Sequence, residues 1–235
     1  MTNKSLLKLS RVPITDKITV INPTVSDVLD DEQSYYTRAT LITSTPFSLM
    51  VQLDDWGINS DTIDDFQLFG LLIKMFDKDS LSMLIEGIEP QNLVYAVDDA
   101  GKDVILRDEI NGLDINRAVA DEICSTIRKI NGIEKKSGKS GNAGARAYLL
   151  EKERKKIKRR QKKPYDPFLE KAVIAMVNNR DFPYDYAGAL NLNMFSFMAS
   201  VPQVQKLKLY EQTMSGIYNG TLDSKKINMQ QIKWI

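Results

Sequence analysis

The sequence predicts an α+β fold that is mainly α, and three observations carry that reading. The first is a hairpin signal over 92–108, where the apolar runs "LVYAV" and "DVIL" flank the Gly-containing turn "DDAGK". The second is an amphipathic helix over 114–130, with Ile115, Val119, Ile123, Ile127 and Ile130 recurring on one face. The third is that from residue 145 onward every periodic stretch has helical spacing. Strands are therefore expected only in the N-terminal part, as a small hairpin or sheet among helices, followed by a small helical C-terminal part.

Taken in order, "KITVINP" (17–23) alternates apolar residues and stops at Pro23, which reads as a short strand. The next stretch begins with cap-type residues and spaces Val28, Leu29, Tyr35, Tyr36, Ala39 and Leu41 at helical intervals. "DDWGINSD" carries turn residues, and "DDFQLFGLLIKMF" (64–76) is an apolar helix with Asp64 and Asp65 at its positive end. "KDSLSMLIEGI" (78–88) reads as a further helix capped by Asp79 or Ser80. Cys124 lies beside the stripe of the 114–130 helix and reads as a small core residue.

"NGIEKKSGKSGNAGAR" (131–146) has the Gly, Ser and Asn content of a flexible linker. "ARAYLLEKERKKIKRRQKK" follows, built almost wholly from strong helix formers. Pro164 and Pro167 end it, and Pro167 opens a helix over 167–179. A turn and a short helix lead to 193–220, helical with an interruption expected near Pro202 and a stop at Gly220. The tail offers Ile227, Ile232, Trp234 and Ile235 for docking. The organisation expected is an acidic α+β unit over 1–130, a Gly-rich linker and basic helical connector over 131–164, and a helical unit over 165–235.

Charge supports that partition. The overall balance of +1 conceals 7 basic and 16 acidic residues over 1–100, a net of −9, against 13 basic and 3 acidic over 131–165, a net of +10. Within "EKERKKIKRRQKK" (151–163) nine of thirteen residues are Lys or Arg. A helix so polar on all sides reads as an exposed connector. Lys155, Lys156, Lys158, Arg159 and Arg160 are candidates for electrostatic contact with an acidic protein surface, either this chain's own or a partner's. Nucleic-acid binding through phosphates by 152–163 is the second reading. No aromatic residue is interleaved there, which argues against base stacking along a single strand.

Composition also removes whole classes of chemistry. The chain is 43% hydrophobic and 27% charged, which excludes disorder throughout. It has one Cys and no His, so an intramolecular disulfide, His/Cys zinc sites and His-based nucleophilic machinery are ruled out. "GIEKKSGKS" (132–140) places five residues between the first Gly and Gly-Lys-Ser where a phosphate loop requires four, and it follows a helix rather than a strand. The pairs Asp54/Asp55, Asp64/Asp65 and Asp98/Asp99 suit a turn, a helix start and a hairpin better than an ion site. "PYDYAGALNLNMFSFMASVPQV" resembles a helix-turn-helix only in layout, because its second helix opens with apolar residues that cannot read base edges. No catalytic, metal or cofactor residue is assigned, and a non-enzymatic protein is expected. No apolar run approaches the roughly 18–20 residues that span a bilayer, and the N-terminus has no long apolar signal core, so a cytoplasmic location with no membrane partner is expected.

Several stretches together resemble a group of proteins encoded in the tail-gene region of phages and prophages of Gram-positive bacteria, the tail assembly chaperones and related tail-region proteins. They are "KITVINPTVSDVLDDEQSYY", "MVQLDDWGINSDTIDDFQLFGLLIKMF", "YDYAGALNLNMFSFMASVPQV" and "GTLDSKKINMQQIKWI". These are packing and turn patterns and bring no functional residues with them. The resemblance implies a role in the host cytoplasm, binding tape measure or tail-tube proteins during assembly, or else a minor tail or baseplate component in the virion. Under that implication the adaptable apolar side chains Met194, Phe195, Phe197 and Met198 are candidates for partner contact.

Overall fold

The computed structural model describes residues 5–228 and 233. Among these are ten α-helices and two three-stranded antiparallel sheets, an α+β architecture dominated by helix. No helix among the described residues is long and apolar enough to cross a membrane.

The first sheet joins β1 (Arg11–Pro13), β2 (Thr19–Ile21) and β3 (Ile85–Glu86) in that order, with Val12 opposite Val20 and Val20 opposite Ile85. The second joins β4 (Val94–Val97), β5 (Val104–Asp108) and β6 (Leu113–Ile115), and contains the expected hairpin. Lys17 ties the two sheets together, its Nζ donating to the carbonyls of Asn111 (2.9 Å) and Gly112 (2.6 Å).

Local chemistry sets the helix boundaries. The stretch after Pro23 divides into α1 (Val25–Leu29) and α2 (Glu32–Ile42), because Thr24 and Asp27 form a capping box and Asp31 starts a second helix by accepting from Ser34 N–H. After α3 (Met50–Asp55), Asp64 and Gln67 form another capping box at the head of α4 (Asp65–Ile73). The helix expected over 78–88 is shorter than its pattern: α5 spans Lys78–Ser82, capped by Asp77, and the chain then extends into β3 opposite β2. Pairing with an existing strand satisfies the backbone there, and tertiary context overrides local propensity. The helix expected over 114–130 starts later: Ile115 belongs to β6, and α6 (Arg117–Asn131), capped by Asn116, carries Val119, Ile123, Ile127 and Ile130 and ends at left-handed Gly132.

α7 (Ala143–Gln161) begins inside the stretch expected to be linker, with Asn142 as its cap. α8 (Leu169–Val177) and α9 (Tyr186–Asn191) follow. α10 (Met194–Tyr218) runs through Pro202 without the expected interruption. Pro202 is on the exposed side, while Phe197 before it and Val204 after it are both buried, so packing on either side holds the helix continuous. For the tail, Ile232, Trp234 and Ile235 lie outside the described residues.

One hydrophobic core runs through the molecule. Val25, Tyr35, Leu72 and Ile127 share it with Leu169, Val173, Met194 and Phe197 from the C-terminal helices. The "NPTV" stretch makes the junction. Val25 N–H donates to Leu192 O (2.9 Å) and Met194 N–H to Pro23 O (2.8 Å). Asn22, almost fully buried, accepts from Phe195 N–H (3.1 Å) and donates to Leu6 and Leu9 carbonyls. The Gly-rich segment thus separates two stretches of sequence that pack into a common core.

Candidate interaction surfaces

The basic helix meets the acidic part of the chain, but through residues other than those expected. At the end of α3, Asp54 accepts from Arg146 Nη2 and Arg154 Nη2, both at 2.9 Å, and Arg154 also reaches Asp55 at 2.6 Å. The spacing explains the choice. Arg146, Leu150, Arg154 and Ile157 recur at 4, 4 and 3 residues, so one helix face turns to the body. The half-buried positions of α7 follow that face, and none of its residues is fully buried. Carboxylates at the C-terminal end of α3 oppose its dipole, and the two arginines offset them.

The preceding strap, 132–142, is also docked. Lys135 pairs with Asp65 (2.6 Å), Lys136 O accepts from the Thr45 hydroxyl, and Ser140 N–H donates to Asp61 (3.2 Å). A Cβ on Gly138 would lie 2.8 Å from the Phe47 ring, so glycine permits the close approach. Strap and body enclose a cleft of about 690 Å³ whose lining includes Phe47, Asp61, Asp65, Asp121, Arg117 and Lys135. Most of these charges are mutually paired, Arg117 bonding to Asp64 and Lys135 to Asp65. No group of three or more His, Cys, Asp or Glu able to hold a metal occurs among the described residues.

The five predicted electrostatic residues sit on the outer side or the free end of α7. Lys155 pairs with Glu151 (2.5 Å) and Lys156 with Glu153, both within the helix. Lys158, Arg159 and Arg160 are exposed and form no ion pair among the described residues. Their charge is therefore not directed at the chain's own acidic surface.

The four predicted apolar contacts need correction. Met194 and Phe197 are fully buried in the core, where Phe197 packs edge-on to Phe182 with centroids 6.3 Å apart, so neither can meet a partner. Phe195 and Met198 are half-buried against that core. Exposed apolar side chains are scattered over the surface, Leu7, Met75, Ile110 and Leu209 among them, but four fall together on the second sheet: Val94, Tyr95, Val97 and Val104 are 44–53% exposed. Val97 and Val104 are direct cross-strand partners, and β4 is the sheet's edge. The run "LVYAV" reads as buried from hydropathy, and only the strand order reveals it as an edge. Cys124 is a core thiol, which burial pushes up to about 12.

No protein-family model, curated protein or solved structure matches this chain.

Proposed function

We propose that the protein is a non-enzymatic assembly factor of phage tail morphogenesis, a tail assembly chaperone that binds tape measure or tail-tube proteins. The resemblance in the "NPTV" and Trp-Gly stretches motivates the setting. The observation that carries the binding role is the exposed apolar group of Val94, Tyr95 and Val97 on the edge strand β4, with Val104 opposite Val97 on β5. Apolar side chains grouped on an open strand edge are a template for a partner segment, which adds main-chain hydrogen bonds and buries the apolar surface. Tyr95 is held ready by its hydroxyl bond to Gln67 O (3.1 Å) and by Lys74 Nζ, 5.5 Å from the ring centroid.

Co-expression with the proteins of the neighbouring tail genes, followed by pull-down, tests this reading. A tape measure or tail-tube protein should co-purify, and Val97→Asp with Val104→Asp should abolish capture without unfolding the chain. Failure of any tail protein to co-purify, with both components soluble, would sink the proposal. Mass spectrometry of purified particles separates a chaperone, which should be missing from them, from a minor structural component.

A further inference from the structure

We propose that the outer face of α7 is a docking ridge for the phosphate backbone of duplex nucleic acid, read without sequence preference. This surface is separate from the apolar edge of the second sheet.

The ion pairs to Asp54 and Asp55 fix the orientation of the helix. At about 100° per residue, Lys152, Lys156 and Arg159 all lie within about 40° of the direction opposite Arg154. The pairing that turns two arginines inward therefore turns this row outward. Its cations are separated by about 6 and 4.5 Å along the axis, a ridge of about 10 Å. One strand of a duplex offers a charge about every 3.4 Å of axis, so the ridge faces roughly three phosphates. Lys158, Arg159 and Arg160 also occupy the last turn, where the helix dipole favours cations.

The ridge keeps most of its charge. Residues 152–163 hold nine Lys or Arg and a single Glu. The recorded contacts of α7 with body carboxylates are those of Arg146 and Arg154. The charge left unpaired suits an external polyanion.

Two features favour phosphate over an acidic protein. Protein interfaces bury an apolar centre inside a polar rim. The outer face of α7 has no aliphatic side chain to form one, since Leu149, Leu150 and Ile157 are on the half-buried side. The one aromatic residue outside is Tyr148, 65% exposed, beside a shallow cleft of about 310 Å³ that it shares with Lys152, Lys155, Lys156 and Arg159. One ring cannot track successive unstacked bases, so a duplex backbone suits the ridge better than a single strand.

Fluorescence anisotropy of a labelled mixed-sequence 20-base-pair duplex against the full-length protein tests this. About three phosphate contacts give a log–log salt slope near −3, a loss of roughly 50-fold in affinity between 50 and 200 mM salt. The triple variant K152Q/K156Q/R159Q should flatten that slope by about 3 and weaken binding at least tenfold at 100 mM, with its circular dichroism unchanged. R146Q, on the inner face, should leave the slope within about one unit. No binding at 50 mM, or an unchanged slope in the triple variant, overturns the proposal. A poly-glutamate peptide that binds tighter than the duplex at equal salt overturns it too, and assigns the ridge to an acidic protein. The tail reading is tested independently, because Val97→Asp should abolish tail-protein capture and leave the duplex affinity intact.

Discussion

Glu32 caps the helix that begins at Leu169, across 137 positions of sequence: its Oε1 accepts from Leu169 N–H at 3.0 Å and from Phe168 N–H at 2.8 Å. α8 has no side-chain cap of its own, and the Tyr165 hydroxyl gives the same oxygen a third bond at 2.8 Å. A carboxylate at a helix N-terminus meets both unpaired donors and the positive end of the dipole. Glu32→Ala leaves three donors without this acceptor and should cost about 2–3 kcal/mol, whereas Glu32→Gln keeps an acceptor oxygen and should cost about 1 kcal/mol. Urea unfolding measures both, and an alanine variant as stable as the parent would refute the capping role. Burial, with the Glu32 bond second, pushes the Tyr165 phenol up to about 12. Both variants should therefore move its spectrophotometric titration down.

Gly87 supports a sharper stability prediction. Its φ is +88°, and a Cβ there would lie 1.8 Å from Lys17 O in the loop before β2. A Cβ on Gly57, whose φ is +75°, would have nothing within 4 Å. Gly57→Ala should cost only the left-handed penalty, about 1–2 kcal/mol. Gly87→Ala adds a backbone collision that must displace the β2–β3 pair, for a total of about 3–5 kcal/mol. Equal losses in the two variants would show that the loop yields freely.

The contrast between these sites marks what was legible in the sequence. The hairpin, the α6 stripe and the α4 cap are local patterns, and the structure contains all three. The pairing of Asp54 with Arg146 and Arg154 spans 92 and 100 positions, so no local pattern reveals it, although the i, i+8 spacing of the arginines is visible. Met194 and Phe197 were misassigned because composition cannot tell an adaptable partner surface from a core. Burial decides that, and it follows from how "NPTV" docks the head of α10.

Acid should unfold the protein through a defined set of carboxylates. Burial opposes ionisation of Asp108, but bonds from Asn111 and Asn92 outweigh it and hold the carboxyl below its ordinary 3.8. The Arg107 bond lowers Asp114, and the Lys102 and Asp103 N–H bonds lower Asp98. A folded-state value below the unfolded one adds stability that is fully present above the unfolded value and is lost as pH falls through the folded one. With no His in the chain, the thermal midpoint should stay level from pH 7 to about 5 and drop below about 4. Asp108→Asn should soften that drop. A midpoint that declines steadily between pH 7 and 5 would contradict this assignment.

Asp54 is the hinge of the last prediction. α7 has no fully buried residue, so two half-exposed ion pairs at one carboxylate, with Asp55 beside it, hold much of the helix against the body. Such pairs contribute about 0.2–1 kcal/mol each and weaken as salt screens them. Asp54→Asn should therefore speed amide hydrogen exchange across 146–157 by about 2- to 10-fold, while the core helix α6 exchanges at its parent rate. Raising salt from 0.05 to 0.5 M should produce at least the same acceleration in the parent chain and a smaller further one in the variant, because salt also screens the Arg154–Asp55 pair that Asp54→Asn leaves in place. If exchange over 146–157 is unchanged in the variant and at high salt, α7 is held instead by the packing of Leu149, Leu150 and Ile157. The ridge of cations would then owe its orientation to those apolar contacts rather than to Asp54.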